Sequence, residues 1–242
     1  MTLPIVVGGL ESSGKTSLIC SLLKMAEANG NSCAGFKPFD KGLLKRNAAD
    51  QQGDGEKFCG LMKNEPMETL VSPYCAHEDY PLEMSFRRDG IGISWNIIKE
   101  RIAILDETYD KTYIELPSSL LSPVTEESMI IDWLKELQAP IIWMIHPLQD
   151  QFYRNLYETK LLKDSGLDYT LVFNNASQIT DQDLLFYTWE KIESFAGQEA
   201  AGMIPFVPAL NESFDHMVEK LKEFLPDVVD SVLPHQQQST SF

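Results

Sequence analysis

The 242-residue sequence is poor in cysteine (4) and histidine (4), and its 20 lysines and arginines are outnumbered by 36 aspartates and glutamates. Each shortage removes a class of function. Cys20, Cys33, Cys59 and Cys75 fall at irregular spacings without a Cys-x-x-Cys pair, so reduced small hydrophobes are expected in place of a disulfide frame or zinc clamp. His77, His146, His216 and His235 are scattered, with no carboxylate or cysteine at ligand spacing. A formal charge of -16, unrelieved by any basic run, repels a phosphate backbone, so no nucleic-acid partner is expected. No apolar run approaches the ~20 residues of a bilayer span, and the start lacks the basic stretch and cleavage site of a signal peptide. A soluble, cytoplasmic protein without a membrane partner is the expectation.

What is present is an alternation of strand and helix patterns. Leu3 to Val7 reads as a strand, Lys15 to Asn29 as a helix with Leu18, Leu22, Leu23 and Ala26 on one face, and Ser32 to Phe36 as a second strand. Asp40 to Gly60 turns polar and glycine-rich and reads as a functional or mobile loop. A helix is expected over Ser94 to Glu107. Strands then follow at Thr112 to Leu116, Pro140 to Ile145, Tyr169 to Phe173 and Ala201 to Ile204. They alternate with helices at Ser128 to Leu137, Phe152 to Lys163, Asp181 to Phe195 (capped by Thr180) and Ser213 to Leu225. This pattern predicts an α/β fold: a doubly wound, mainly parallel sheet with helices on both faces and a ligand at the carboxyl ends of the strands. A single domain over residues 1–225 is expected, with 226–242 as a flexible polar tail. Trp133, Trp143 and Trp189 are read as core and helix-face residues.

Chemistry enters at Gly9-Leu10-Glu11-Ser12-Ser13-Gly14-Lys15-Thr16, which satisfies G-x-x-x-x-G-K-[ST] between a strand and a helix. In such a P-loop the backbone N–H groups and the helix N-terminus cradle phosphates, the lysine neutralises the outer ones, and the hydroxyl faces Mg²⁺. ATP and Mg²⁺ are therefore the expected ligands, with Gly9, Glu11, Ser12, Ser13, Gly14, Lys15, Thr16 and Ser17 around the nucleotide. Glu115, at the end of a strand beside the loop, is a candidate metal ligand with Thr16; Asp54 is a second. As surface acids, Glu115 and Asp54 would need no such role. Lys37, ending the second strand, would bring a second ammonium to the triphosphate and so suggests a second anion.

Several phrases together resemble those of dethiobiotin synthetases. They are the P-loop with Lys15 and Thr16, Ala34-Gly35-Phe36-Lys37-Pro38, Ser72-Pro73-Tyr74, Glu115, Asn174 after a strand, and Ile204-Pro205. The resemblance runs from residue 3 to about residue 210. It implies an ATP- and Mg²⁺-dependent carboxylation of the vicinal diamine 7,8-diaminononanoate with closure of a cyclic urea through a carbamoyl phosphate-type anhydride. Lys15 and Lys37 would be catalytic, Asn174 would read adenine, and Lys41, Ser118 and Tyr153 would face the acceptor substrate. A homodimer is implied as well. The chain departs from the family where Leu116-Pro117-Ser118-Ser119 replaces a Gly-Ala-Gly-Gly segment and Asp40-Lys41-Gly42 replaces Ala-Ser-Gly. Two alternatives follow: a homologue with the same nucleotide site and another substrate, and a non-enzymatic protein that binds a partner under ATP control.

Overall fold

The computed structural model describes residues 3–44, 49, 52–117, 119–208 and 214–234. Among these the chain opens with β1 (Ile5–Gly9), α1 (Lys15–Ala28), β2 (Cys33–Phe36) and β3 (Phe39–Lys41). It continues with α2 (Asp54–Leu61), α3 (Glu68–Val71), β4 (Tyr74–Ala76), α4 (Leu82–Arg88), α5 (Trp95–Thr108) and β5 (Lys111–Glu115). The second half holds α6 (Ile130–Leu137), β6 (Ile141–Ile145), α7 (Phe152–Asp164), β7 (Tyr169–Asn174), α8 (Gln182–Ala196), β8 (Gly202–Ile204), α9 (Asp215–Phe224) and α10 (Pro226–Val232).

Six strands form one sheet in the order β2-β5-β1-β6-β7-β8, every pair parallel. β1 and β6 are buried along their whole length, as strands covered on both faces must be, and this explains their continuous apolar sequences. β1 is central, and the chain leaves it toward β2 and β5 on one side and toward β6, β7 and β8 on the other. Successive crossovers diverge there, which opens a crevice at the carboxyl end of β1. α1 packs against β1, β2 and β5 and also touches α2 and α9; α7 and α8 pack against each other. The expected architecture is thus the observed one.

Several expectations are corrected. Asp40 to Gly60, read as a loop, contributes β3 and α2, and β3 pairs in parallel with β4 as a separate two-stranded sheet. Packing supplies what composition hid: the Phe39 ring lies 6.1 Å from Tyr74, 6.0 Å from Phe86 and 6.0 Å from Trp95, and Trp95 stacks at 5.2 Å on Trp133. α8 is capped by Asp181, whose carboxylate accepts from Leu184 N–H at 3.0 Å, and not by Thr180. Ser213, the expected start of the helix before Leu225, lies outside the described residues, and α9 begins at Asp215. The tail expectation fails over its first part. Pro226 starts α10, where proline's missing N–H costs nothing, and Val228, Val229 and Val232 are buried. Tyr113 Oη donates to Val232 O at 3.0 Å and Asn31 Nδ2 to Pro234 O at 3.0 Å, tying this end to the sheet.

Candidate active site

The loop after β1 owes its shape to glycine. Gly9 has φ of 142° and Gly14 a φ of 93°. A Cβ at Gly9 would lie 2.4 Å from Met144 O, and one at Gly14 would lie 2.2 Å from Asn174 Nδ2, so both positions need glycine for conformation and for space. Gly14 caps α1 without any side-chain hydrogen bond, and the first turn carries no acid. The free N–H groups and positive end of the helix are therefore presented to the crevice, where they attract anions.

The crevice has a volume of about 530 Å³ and is lined by Glu11, Ser12, Gly14, Lys15, Thr16 and Ser17 at its loop end. Lys37, Asp54, Glu115, Leu116, Pro117 and Asn174 enclose its middle, and Phe39, Asp40, Lys41, Asp79 and Leu82 its other side. Gly9 and Ser13 shape the loop from beneath; Asn174 Nδ2 donates to Ser13 O at 2.8 Å.

Four of the residues predicted for catalysis and metal binding meet in one cluster. Lys37 Nζ lies 2.8 Å from Glu115 Oε1 and also bonds Asp54 Oδ2. Thr16 Oγ1 donates to the same Glu115 oxygen at 3.2 Å. Lys57, which the sequence reading missed, holds the other oxygen of Asp54 at 3.0 Å. Its signal was its position three residues after Asp54 on one helix. Lys15 is turned back onto its own loop, with Nζ 2.9 Å from Gly9 O and 2.8 Å from Leu10 O.

Burial treats the two lysines differently. It lowers the Lys15 ammonium to about 8, only partly opposed by Glu115. Burial also disfavours the charge on Lys37, but Glu115, Asp54 and Asp40 outweigh it and raise that pKa. Asp54 is also disfavoured as an anion by burial, yet Lys37 and then Lys57 hold its carboxyl well below the usual carboxylate range. The carboxylates thus favour the charged form of Lys37, whereas burial disfavours that of Lys15.

The residues present fit a magnesium ion. Glu115 Oε2 is buried without a hydrogen-bond partner, and Thr16 and Asp54 add a hydroxyl and a carboxylate on the same side. Among the described residues no group of three or more His, Cys, Asp or Glu could hold a metal unaided. Magnesium ordinarily takes one or two carboxylates and completes its shell from phosphate oxygens and water.

The predicted acceptor contacts fare less evenly. Lys41 lines the crevice, but its ammonium is engaged by Asp79 at 2.8 Å and Tyr80 O at 2.8 Å. Tyr153 is 79% exposed on α7 and does not line the crevice, because the inward side of that helix is taken by Asn155, Glu158 and Thr159. Ser118 lies outside the described residues. Phe39, Asp40, Asp79 and Leu82 were not foreseen; they arrive through the β3–β4 sheet and the helix after it.

A family model described as an AAA domain matches residues 5–213. The chain belongs to that AAA-domain family. The chain is 23% identical over 220 residues to the ATP-dependent dethiobiotin synthetase BioD of Bacillus cereus strain B4264, covering 88% of this chain and 90% of that one. The same protein from Bacillus thuringiensis strain Al Hakam is 22% identical over equal coverage. The fold of this AAA-domain protein is shared with the MinD cell division protein of Aquifex aeolicus at a TM-score of 0.54 and 14% identity, covering 96% of this chain and 95% of that one. A chain of the MinC:MinD cell division protein complex from that organism gives 0.53 at 15% identity over the full length of both. Among the described residues no helix is long and apolar enough to cross a membrane.

Proposed function

We propose that this protein is an ATP- and magnesium-dependent cyclo-ligase of the dethiobiotin synthetase type, acting on 7,8-diaminononanoate and CO₂. The observation that carries the reading is the placement of Lys37 between Asp54 and Glu115, with Thr16 on the same Glu115 oxygen. A P-loop alone requires one lysine. The second, kept charged by two carboxylates at the floor of the crevice, suits an acceptor that is itself an anion.

In the proposed reaction one amine attacks CO₂ and loses a proton, giving a carbamate. A carbamate oxygen attacks the γ-phosphorus of ATP, ADP departs, and the product is a carbamoyl phosphate-type anhydride. The second amine then attacks the carbonyl carbon, phosphate leaves with the C–O bond electrons, and a proton is lost as the urea ring closes. Lys37 fixes the carbamate and neutralises its charge, and Lys15 leaves the Gly9 and Leu10 carbonyls to meet the phosphates. A buried lysine near its titration point gains its proton as the triphosphate enters, so charge on Lys15 grows where charge is to be neutralised. Magnesium, when bound, would supply further neutralisation of the phosphate oxygens from beside Thr16, Asp54 and Glu115. Asn174 keeps its Oδ1 and second N–H for the adenine edge. Most of the acceleration then comes from positioning and fixed charge. The named activity of the Bacillus relatives supports this reading, as does their coverage of most of the chain. A homodimer and a cytoplasmic location belong to the same proposal, as does a single domain that takes in α10.

A second acceptor is favoured by one observation: Leu116 is buried, where it would stand 3.2 Å from a Cβ at Gly8, and so fills space that a glycine would leave open. Both readings are tested by incubating the purified protein with ATP, Mg²⁺, bicarbonate and the diamine. Diamine-dependent release of ADP and phosphate with formation of the cyclic urea is expected; ATP binding without such turnover would overturn the diamine and favour the second reading.

A further inference from the structure

Three of the four buried residues of α7 are polar, with Leu162 the apolar one, where a core-facing helix is ordinarily apolar throughout. From the N-cap onward, Gln151, Asn155, Glu158 and Thr159 follow the i, i+4, i+7, i+8 spacing that places side chains on one side. Asn155, Glu158 and Thr159 are buried, while Tyr153 and Tyr157 stand exposed on the opposite side. Gln151 Nε2 donates to Glu11 O in the P-loop at 3.3 Å, and Asn155 Nδ2 to His146 O at the end of β6 at 3.0 Å. Glu158 accepts from Leu120 N–H at 3.0 Å and, through its other oxygen, from Ser119 Oγ. One helix therefore touches the lip of the nucleotide loop, the end of a central strand and the segment beyond Glu115.

Glu158 is only 4% exposed, and a carboxylate is costly at such a position unless donors satisfy it. Burial pushes its carboxyl up, with Ser119 and Leu120 opposing. What those donors belong to gives the side chain its meaning. Leu116 and Pro117 line the crevice beside Glu115, and Ser119 and Leu120 follow within the same short segment. Leu120 O in turn accepts from Ile131 N–H at 2.9 Å, and Ser119 Oγ accepts from Leu121 N–H at 3.2 Å. The Glu158 carboxylate is the point at which α7 grips this segment.

We infer that Glu158 is a positioning residue for the acceptor side of the crevice: by holding Ser119 and Leu120 it sets the Leu116-Pro117 wall without touching either substrate. The identity of the acceptor rests on the ligase reading above; the grip on the segment does not. A helix that merely completed the core would affect nucleotide and acceptor alike, whereas a positioning role separates them.

The test compares the intact protein with Glu158→Ala, Glu158→Gln and the milder Ser119→Ala, which removes one donor and leaves the Leu120 bond. Amide hydrogen exchange, binding of a fluorescent ATP analogue with Mg²⁺, and the KM for the diamine are measured. In Glu158→Ala, exchange at Leu120 and Leu121 is expected to speed up about tenfold, the scale of one lost hydrogen bond to a charged group. The KM for the diamine is expected to rise by a similar factor, while analogue affinity stays within about twofold. Glu158→Gln, which keeps one acceptor oxygen, and Ser119→Ala should fall between. Unchanged exchange at Leu120, or a loss of analogue affinity in step with the diamine KM, would overturn the inference. If the unaltered protein turns over no diamine, the ligase reading falls by itself, and exchange together with analogue binding still decides the role of Glu158.

Discussion

Thr16 and Glu115 meet through a hydrogen bond of 3.2 Å, and the same carboxylate oxygen accepts the Lys37 ammonium at 2.8 Å. One oxygen thus joins the first turn of α1 to the second lysine of the crevice. Glu115→Gln keeps the shape and removes the charge. The magnesium concentration for half-maximal turnover is expected to rise about tenfold or more, the scale seen when a ligand sphere is disturbed. A magnesium titration of ADP release that matches the unaltered protein would take Glu115 out of the metal set.

Lys15 gives a pH signature whose sign is fixed by its lowered pKa. The folded protein releases that proton near pH 8, while the unfolded chain holds it to about 10.5. Below pH 8 both states are protonated and the cost of burying the charge is present in full. Between 8 and 10.5 only the unfolded chain is protonated, so stability rises with pH, by about 3 kcal/mol if the whole window is crossed. Buried Cys20 and Cys33, pushed up to about 12, act in the opposite direction above pH 9. The comparison is therefore made against Lys15→Met in urea unfolding at pH 7, 8 and 9 without nucleotide. The unaltered protein should gain on the variant between the last two points; a constant difference would mean that Lys15 does not titrate there. By the same linkage, ATP binding should take up a proton and weaken above pH 8.

Gly35 lies on β2 against the ring of Phe58 in α2; a Cβ there would stand 2.7 Å from the ring. Gly35→Ala is expected to cost about 1–3 kcal/mol by overpacking. Because α2 also carries Asp54, the displacement should reach the crevice. Denaturant midpoints and turnover measured together check this, and a variant with lowered stability but normal turnover would separate the helix position from the chemistry.

Truncation after Leu225 removes α10. Val228, Val229 and Val232 leave the core, and Tyr113 loses the Val232 carbonyl as its buried partner. A stability loss on the order of 3–6 kcal/mol is expected from these apolar groups alone. Thermal unfolding of the truncated chain decides it; a melting temperature within a degree or two of the full chain would mean that α10 docks too weakly to matter.

The loop end of the crevice could be read from the sequence because its parts are local. Gly9, Gly14, Lys15 and Thr16 lie within eight consecutive residues, and the two glycines declare their conformation by residue type. Lys37 and Glu115 were legible for a related reason: each stands at the end of a strand, and strand ends in a parallel sheet converge, whereas Asn174 was named only through the family resemblance. The side lined by Phe39, Asp40, Asp79 and Leu82 was not legible. β3 is three residues long, pairs with a strand across many intervening residues, and is held by aromatic packing that no periodicity reveals. Tyr153 falls outside the crevice because α7 turns Asn155, Glu158 and Thr159 inward beside Leu162 and its tyrosines outward. α10 was overlooked because its three valines precede a glutamine-rich stretch whose composition dominated the reading.

β1 carries the loop that begins the site, yet it lies between β5 and β6, pairing Ile5 with Tyr113 and Val6 with Ile141. During synthesis the first strand must wait for both neighbours to leave the ribosome. Its ladder closes late, through contacts of long sequence separation that slow folding. A nascent chain that stops short of β5 has the phosphate loop but neither the Glu115 that holds Lys37 nor the strand that flanks it.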